Sequence, residues 1–191
     1  MNIAVYSGSF NPLHIGHLAI LKHLTQEAGF DMVYLIVSPK NPLKDGISSD
    51  SASDRFNAAV EAVNRHFAPA ARLQGKVLVD DIELTMPEPH YTIRTLDALS
   101  AREPENTFTF VMGADNLADI RRWRDYSRIL ADHGVAVYPR TGFDLETIKQ
   151  DLLDENPAYN IQIINAPMVD ISSTQIREAL SRGEDVSHLL M

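Results

Sequence analysis

The chain has 191 residues, 45% of them hydrophobic and 23% charged, with a formal net charge of −9 and no cysteine. These proportions fit one globular domain, residues 1–191, and exclude a disulfide scaffold, a thiolate nucleophile and cysteine-bound zinc. The acidic balance argues against binding extended nucleic acid, no apolar run approaches the roughly 20 residues a bilayer needs, and the first residues do not read as a secretory leader. A cytoplasmic protein without nucleic-acid or membrane partners is expected.

Along the chain, short apolar runs rich in β-branched residues alternate with stretches of helical spacing. Strands are predicted at 3–6, 33–37, 77–79, 108–112, 135–138 and 161–164, and helices at 18–28, 53–67, 92–102, 117–130, 145–153 and 173–182. Residues 68–77 read as a loop or a broken helix end. Proline and glycine fall at the joints, and no repeat or long linker divides the chain. The alternation predicts an α/β fold, a Rossmann-like doubly wound parallel sheet with helices on both faces in a single domain. In such sheets ligands bind beyond the carboxyl ends of the strands, and every chemistry-bearing stretch below follows a predicted strand.

After the first strand, Gly8, Ser9 and Phe10 form a tight turn whose backbone can approach a ligand, and a helix starts near Gly16. Its exposed N–H groups and partial positive charge suit a phosphate. His14 and His17, three residues apart, fall on one side of that first turn and offer N–H donors, with cationic character if needed, to charge developing on a transferred phosphoryl or nucleotidyl group. Taken alone, the pair reads equally well as buried or capping histidines, and as zinc ligands only if a third ligand exists.

The stretch GSFNPLHIGH resembles the nucleotidyltransferase signature G-x-F-x-P-x-H-x-G-H. The same tetrapeptide occurs in class I aminoacyl-tRNA synthetases, but a chain this short and acidic has no room for a tRNA-binding domain and lacks their lysine-rich second signature. Near the other end, ISSTQIR, residues 171–177, resembles the I-S-S-T-x-x-R signature of nicotinate and nicotinamide mononucleotide adenylyltransferases. Without the resemblance, its serines and threonine are ordinary helix caps; with it, Ile171, Ser172, Ser173, Thr174 and Arg177 are implied to hold ATP phosphates.

Three internal stretches are similar to the same family. VSPKNPLK looks like its P-P-H-K loop with departures at Asn41 and Leu43; Lys44 matches the family lysine, and the sequence leaves open whether Lys40 or Arg140 reaches a phosphate. HYTIRTL resembles the Y-T-x-x-T-L segment beside the pyridine ring, implying contacts from Tyr91 and the Thr92 backbone, although Thr92 equally reads as a helix cap. GADNL with a downstream tryptophan implies close backbone approach at Gly113, ribose hydroxyls on Asp115, and a pyridine ring stacked on Trp123. Arg124 belongs with Arg121, Arg122 and Arg128 to a local basic cluster suited to an anionic substrate, some of it simply a solvated helix face.

The resemblance implies transfer of AMP from ATP, entering as its Mg2+ complex, to nicotinate mononucleotide, giving deamido-NAD and pyrophosphate. His14, His17 and Arg177 are the implied catalytic residues; Gly8, Ser9, Phe10, Gly16, Gly113 and Asp115 join them around ATP; Lys44, Tyr91, Thr92, Trp123 and Arg124 hold the mononucleotide; no protein-held metal is expected. Alternatives are the amide mononucleotide as acceptor, a phosphopantetheine adenylyltransferase, a nucleotide-binding module without turnover, and a histidine metal site. Homo-oligomerisation is left open, and the loops 39–52 and 87–90 are those expected to move.

Overall fold

The computed structural model describes residues 1–39, 51–67 and 77–191. The elements run β1 (Asn2–Gly8), α1 (Ile15–Gln26), β2 (Met32–Val37), α2 (Ala52–His66), β3 (Val77–Asp80), α3 (Ile82–Thr85), α4 (Thr92–Arg102) and β4 (Thr107–Gly113). They continue α5 (Ala114–Ala118), α6 (Tyr126–Arg128), β5 (Val135–Tyr138), α7 (Leu145–Glu155), β6 (Ile161–Ile163) and α8 (Ser173–Ser181).

The six described strands pair in parallel throughout, in the order β3-β2-β1-β4-β5-β6, the doubly wound arrangement expected. Side chains alternate across the sheet with the period of two that a pleat imposes. Ile3 and Val5 of β1 enter one core with Phe110, Leu96 and Leu117, whereas Ala4 and Tyr6 enter the other with Leu21, Leu24 and Val111. Both faces of the central strands are therefore buried, which is why these strands read as continuous apolar runs rather than as alternating ones.

Chain order reverses between β1 and β4, the adjacent central strands from which the sheet is wound outward on each side. Their carboxyl ends, Gly8 and Gly113, border the crevice where this topology places a ligand.

One expectation needs correction. The helix predicted at 117–130 is broken: α5 ends at Ala118, a 3₁₀ turn covers Ile120–Arg122, Trp123 is extended, Asp125 is left-handed at φ 50°, and a π-helical turn, Ile129–His133, follows α6. Leu117 and Ile120 before the break and Ile129 and Leu130 after it are all buried, so apolar residues at both ends concealed it. Helix α1 starts at Ile15, beside the start expected near Gly16 and ahead of the periodic stretch at 18–28, with its cap made by histidine. The short α3 had no periodic signal and was not foreseen. Within 68–77 only Val77 is described, and it opens β3.

Candidate active site

The first turn of α1 is closed by a reciprocal pair of imidazoles. Gly16 N donates to His14 Nδ1 at 3.1 Å, and His14 N donates to His17 Nδ1 at 3.2 Å. This is a capping box built from histidine instead of the usual Ser/Thr and Glu/Gln. Because each Nδ1 accepts, the neutral rings carry their protons on Nε2. The rings lie close together, centroids 3.7 Å apart and tilted by 30°, and Phe10 supports His17 edge-on at 5.1 Å.

Burial, reinforced by the Arg140 guanidinium, depresses the His14 pKa to about 4. His17 is held well below the usual imidazole range by burial, then by His14 and Arg140. Both are uncharged donors at neutral pH in the free protein, so the cationic character allowed from sequence is absent there. The Gly16 N–H, expected to face a phosphate, is taken by His14. An ideal Cβ on Gly16 would lie 3.0 Å from the His14 ring, which explains the glycine between the two histidines.

The C-terminal signature docks directly on this motif. Ser172 caps α8 in a box with Gln175; Ser173 Oγ donates to the Pro12 carbonyl at 3.0 Å; Arg177 donates to the Asn11 carbonyl at 2.6 Å and to Thr174 Oγ1 at 3.1 Å. Two stretches more than 160 positions apart thus become one surface.

Two cavities meet along the crevice. One is lined by His14, Gly16, His17, Asp115, Ile171 and Ser172, with Arg140 and the exposed Phe143 and Met168 on its outer side. The second is lined by Tyr91, Thr92, Trp123, Arg124 and Asn116, and also by Gly8 and Ser9. Tyr6 and Tyr138 border both, meeting edge to face with centroids 6.3 Å apart. Burial raises both phenol pKa values, so their hydroxyls stay protonated.

Most of the predicted residues therefore converge, with reassignments. Gly8 and Ser9 face the second cavity rather than the one beside the histidines, and Phe10 is buried beneath His17. Ser173 and Arg177 tie α8 to the Asn11–Pro12 turn, and Thr174 accepts from Arg177. Thr92 is not the cap of α4: Tyr91 occupies that place without a side-chain cap bond. Gly113 is buried where a Cβ would fall 2.5 Å from Asp115 Oδ1 and 3.1 Å from Tyr138. Lys44 and Lys40 lie outside the described residues.

Of the four clustered arginines, Arg121 pairs with Glu155 at 2.9 Å and Arg128 with Asp97 at 2.9 Å, whereas Arg122 and Arg124 line the second cavity. Arg124 stacks on Tyr91 at 5.7 Å. Sequence reading missed Tyr6, Tyr138, Asn116 and Glu83 and left Arg140 undecided. The signal for Tyr138 and Arg140 was their place at the end of β5 and just beyond it, at the carboxyl edge of the sheet. Arg140 stacks on Tyr138 at 5.2 Å and approaches Asp115 at 3.8 Å.

Residues 5–179 match the model of the cytidylyltransferase-like family. A probable nicotinate-nucleotide adenylyltransferase of Flavobacterium psychrophilum is 38% identical over 190 residues, covering 100% of this chain and 92% of that protein. One of the same name from Bacteroides fragilis is 37% identical over 186 residues, covering 97% and 85%. The fold is shared with the Plasmodium falciparum nicotinic acid mononucleotide adenylyltransferase complexed with NaAD, with a TM-score of 0.77 at 23% identity over 97% of this chain and 86% of that one. With its crevice, paired histidines and docked C-terminal signature, the chain belongs to the cytidylyltransferase-like family and, within it, to the nicotinate-nucleotide adenylyltransferases.

Proposed function

We propose that the chain transfers AMP from ATP to nicotinate mononucleotide, releasing pyrophosphate and forming deamido-NAD. The observation that carries this reading is the pairing of two cavities across the Tyr6–Tyr138 wall, one bearing His14, His17 and Ser172, the other Thr92 and Trp123. A triphosphate beside the histidines and a mononucleotide beside Trp123 would bring their phosphates together at that wall.

The mononucleotide phosphate oxygen attacks the α-phosphorus, the bond to the β-phosphate bridging oxygen breaks, and pyrophosphate leaves with the electron pair. The attacking oxygen is already anionic, so no base has to remove a proton. Catalysis is then positioning and charge stabilisation. The Nε2–H groups of His14 and His17 donate to the α-phosphoryl oxygens, and their neutral state removes no charge balance from the substrate. Arg140, half-exposed beside Asp115 and the histidines, supplies positive charge to the triphosphate; Arg177 acts from its anchor on Asn11.

Asp115 receives the ATP ribose, while the tryptophan face and the N–H groups opening α4 receive the pyridine ring and its carboxylate. Magnesium enters as part of the ATP substrate, carried on the triphosphate oxygens and water. Coupled pyrophosphate release with ATP, magnesium and either the acid or the amide mononucleotide tests the reading. Turnover with a higher kcat/KM for the acid is expected; release with neither mononucleotide refutes it.

A further inference from the structure

The second cavity contains a buried acidic side chain that its fold does not require. Glu83, on α3, is 3% exposed. Its Oε1 accepts from Thr95 Oγ1 of α4 at 2.8 Å, which ties the two helices together. Its Oε2 is buried and has no hydrogen-bond partner among the described residues, and no cation pairs with the carboxylate there. Burying an unpartnered carboxylate oxygen is costly, and a glutamine would hold Thr95 just as well. A group kept at such a cost points to a ligand charge that completes it.

Glu83 lines the cavity in company with the aromatic faces of Tyr91, Phe110 and Trp123. Flat faces plus one enclosed negative charge complement a flat ring that is itself positive. A pyridine ring joined to ribose through nitrogen is such a ring, a permanent cation whether its substituent is an acid or an amide. Arg122 and Arg124, which also line this cavity and have no acidic partner among the described residues, suit the exocyclic carboxylate.

We propose that Glu83 is the counter-charge to the pyridinium ring, so that the site reads the charge of the ring in addition to its shape. This rests on the mononucleotide reading above. Glu83 positions the substrate and sets specificity, without touching the reacting phosphates.

The test compares nicotinamide mononucleotide with its 1,4-dihydropyridine form, which keeps the substituent and phosphate but has a neutral ring, in pyrophosphate release by the full chain. The wild type should favour the cationic ring in kcat/KM. Glu83→Gln, which preserves size and the acceptor for Thr95, should lower that preference roughly ten- to thirtyfold through KM, the effect of a unit charge several ångströms away at intermediate dielectric, with the KM for ATP unchanged. A wild type indifferent to ring charge, or a variant that loses both substrates equally, overturns the proposal and leaves Glu83 a structural tie. A wild type inactive with every mononucleotide instead sinks the parent reading. If the variant does not fold, the wild type answers by itself: N-methylnicotinate should compete with the mononucleotide at least about tenfold better than 3-methylbenzoate, and equal competition overturns the proposal.

Discussion

Gly16→Ala separates the two jobs of the histidine pair. The new Cβ would sit 3.0 Å from both Cε1 and Nδ1 of His14, tighter than ordinary contact, so the ring must give way by a few tenths of an ångström. That ring is confined: it stacks on His17 at 3.7 Å and is 5% exposed. The displacement stretches the 3.1 Å bond from Gly16 N, a loss of about 1 kcal/mol if the cap fails completely. Replacing glycine by alanine within a helix returns about 0.5–1 kcal/mol. The two nearly cancel, so thermal unfolding should move by no more than about 2–4 °C.

Activity has no such compensation. The displaced ring re-aims its Nε2–H and loses the bond that fixes its tautomer, so kcat should fall at least about tenfold, approaching the cost of losing one charge-stabilising donor. Scanning calorimetry beside pyrophosphate release reads both effects on one sample. A variant with wild-type kcat would show that the imidazole box is a helix cap and nothing more.

His17→Ala should lower kcat by about 100- to 1000-fold with the fold retained by circular dichroism; near-wild-type turnover would remove the donor role. Trp123→Leu should raise the KM for the mononucleotide about tenfold and leave the KM for ATP unchanged, because its ring lines only the second cavity; an equal rise in both would contradict the assignment. Histidine NMR should find His14 titrating near pH 4 in the free enzyme, and a bound non-hydrolysable ATP analogue should move that midpoint upward; a free-enzyme midpoint near 6.5 would refute the burial account. The same shift predicts acid lability. The unfolded chain takes up the proton at about 6.5 while the folded one resists to about 4, so the stabilisation is intact above 6.5 and is lost as pH falls between those values, as denaturant melts across that range would show.

The sheet was legible because buried parallel strands leave continuous β-branched runs, and 135–138 was predicted to the residue. The docking of Arg177 onto Asn11 was legible only as a coincidence of two signatures, since no local rule links residues so far apart. The break around Trp123 was invisible. Leu117 and Ile120 on one side and Ile129 and Leu130 on the other are all fully buried, so apolar residues flank the break on both sides, while the residue that matters, Asp125, adopts its left-handed turn without a glycine to announce it.

Glu83 was missed for a related reason. An acidic residue four positions before proline looks solvated until α3 and α4 close over it, and Thr95, its partner, lies twelve residues on. The neutrality of His14 and His17 belongs to the same class of fact, since it follows from burial and from Arg140 arriving with β5.

The imidazole box also makes the start of α1 a reporter. Protonating His14 removes the acceptor that holds the Gly16 amide, and protonating His17 removes the one that holds the His14 amide. The exchange of those two amides with solvent deuterium is thereby coupled to the readiness of the donors on the far edges of the same rings. In acid, the opening of the helix start and the loss of correctly aimed N–H groups should be one event, readable at two backbone positions without any substrate present.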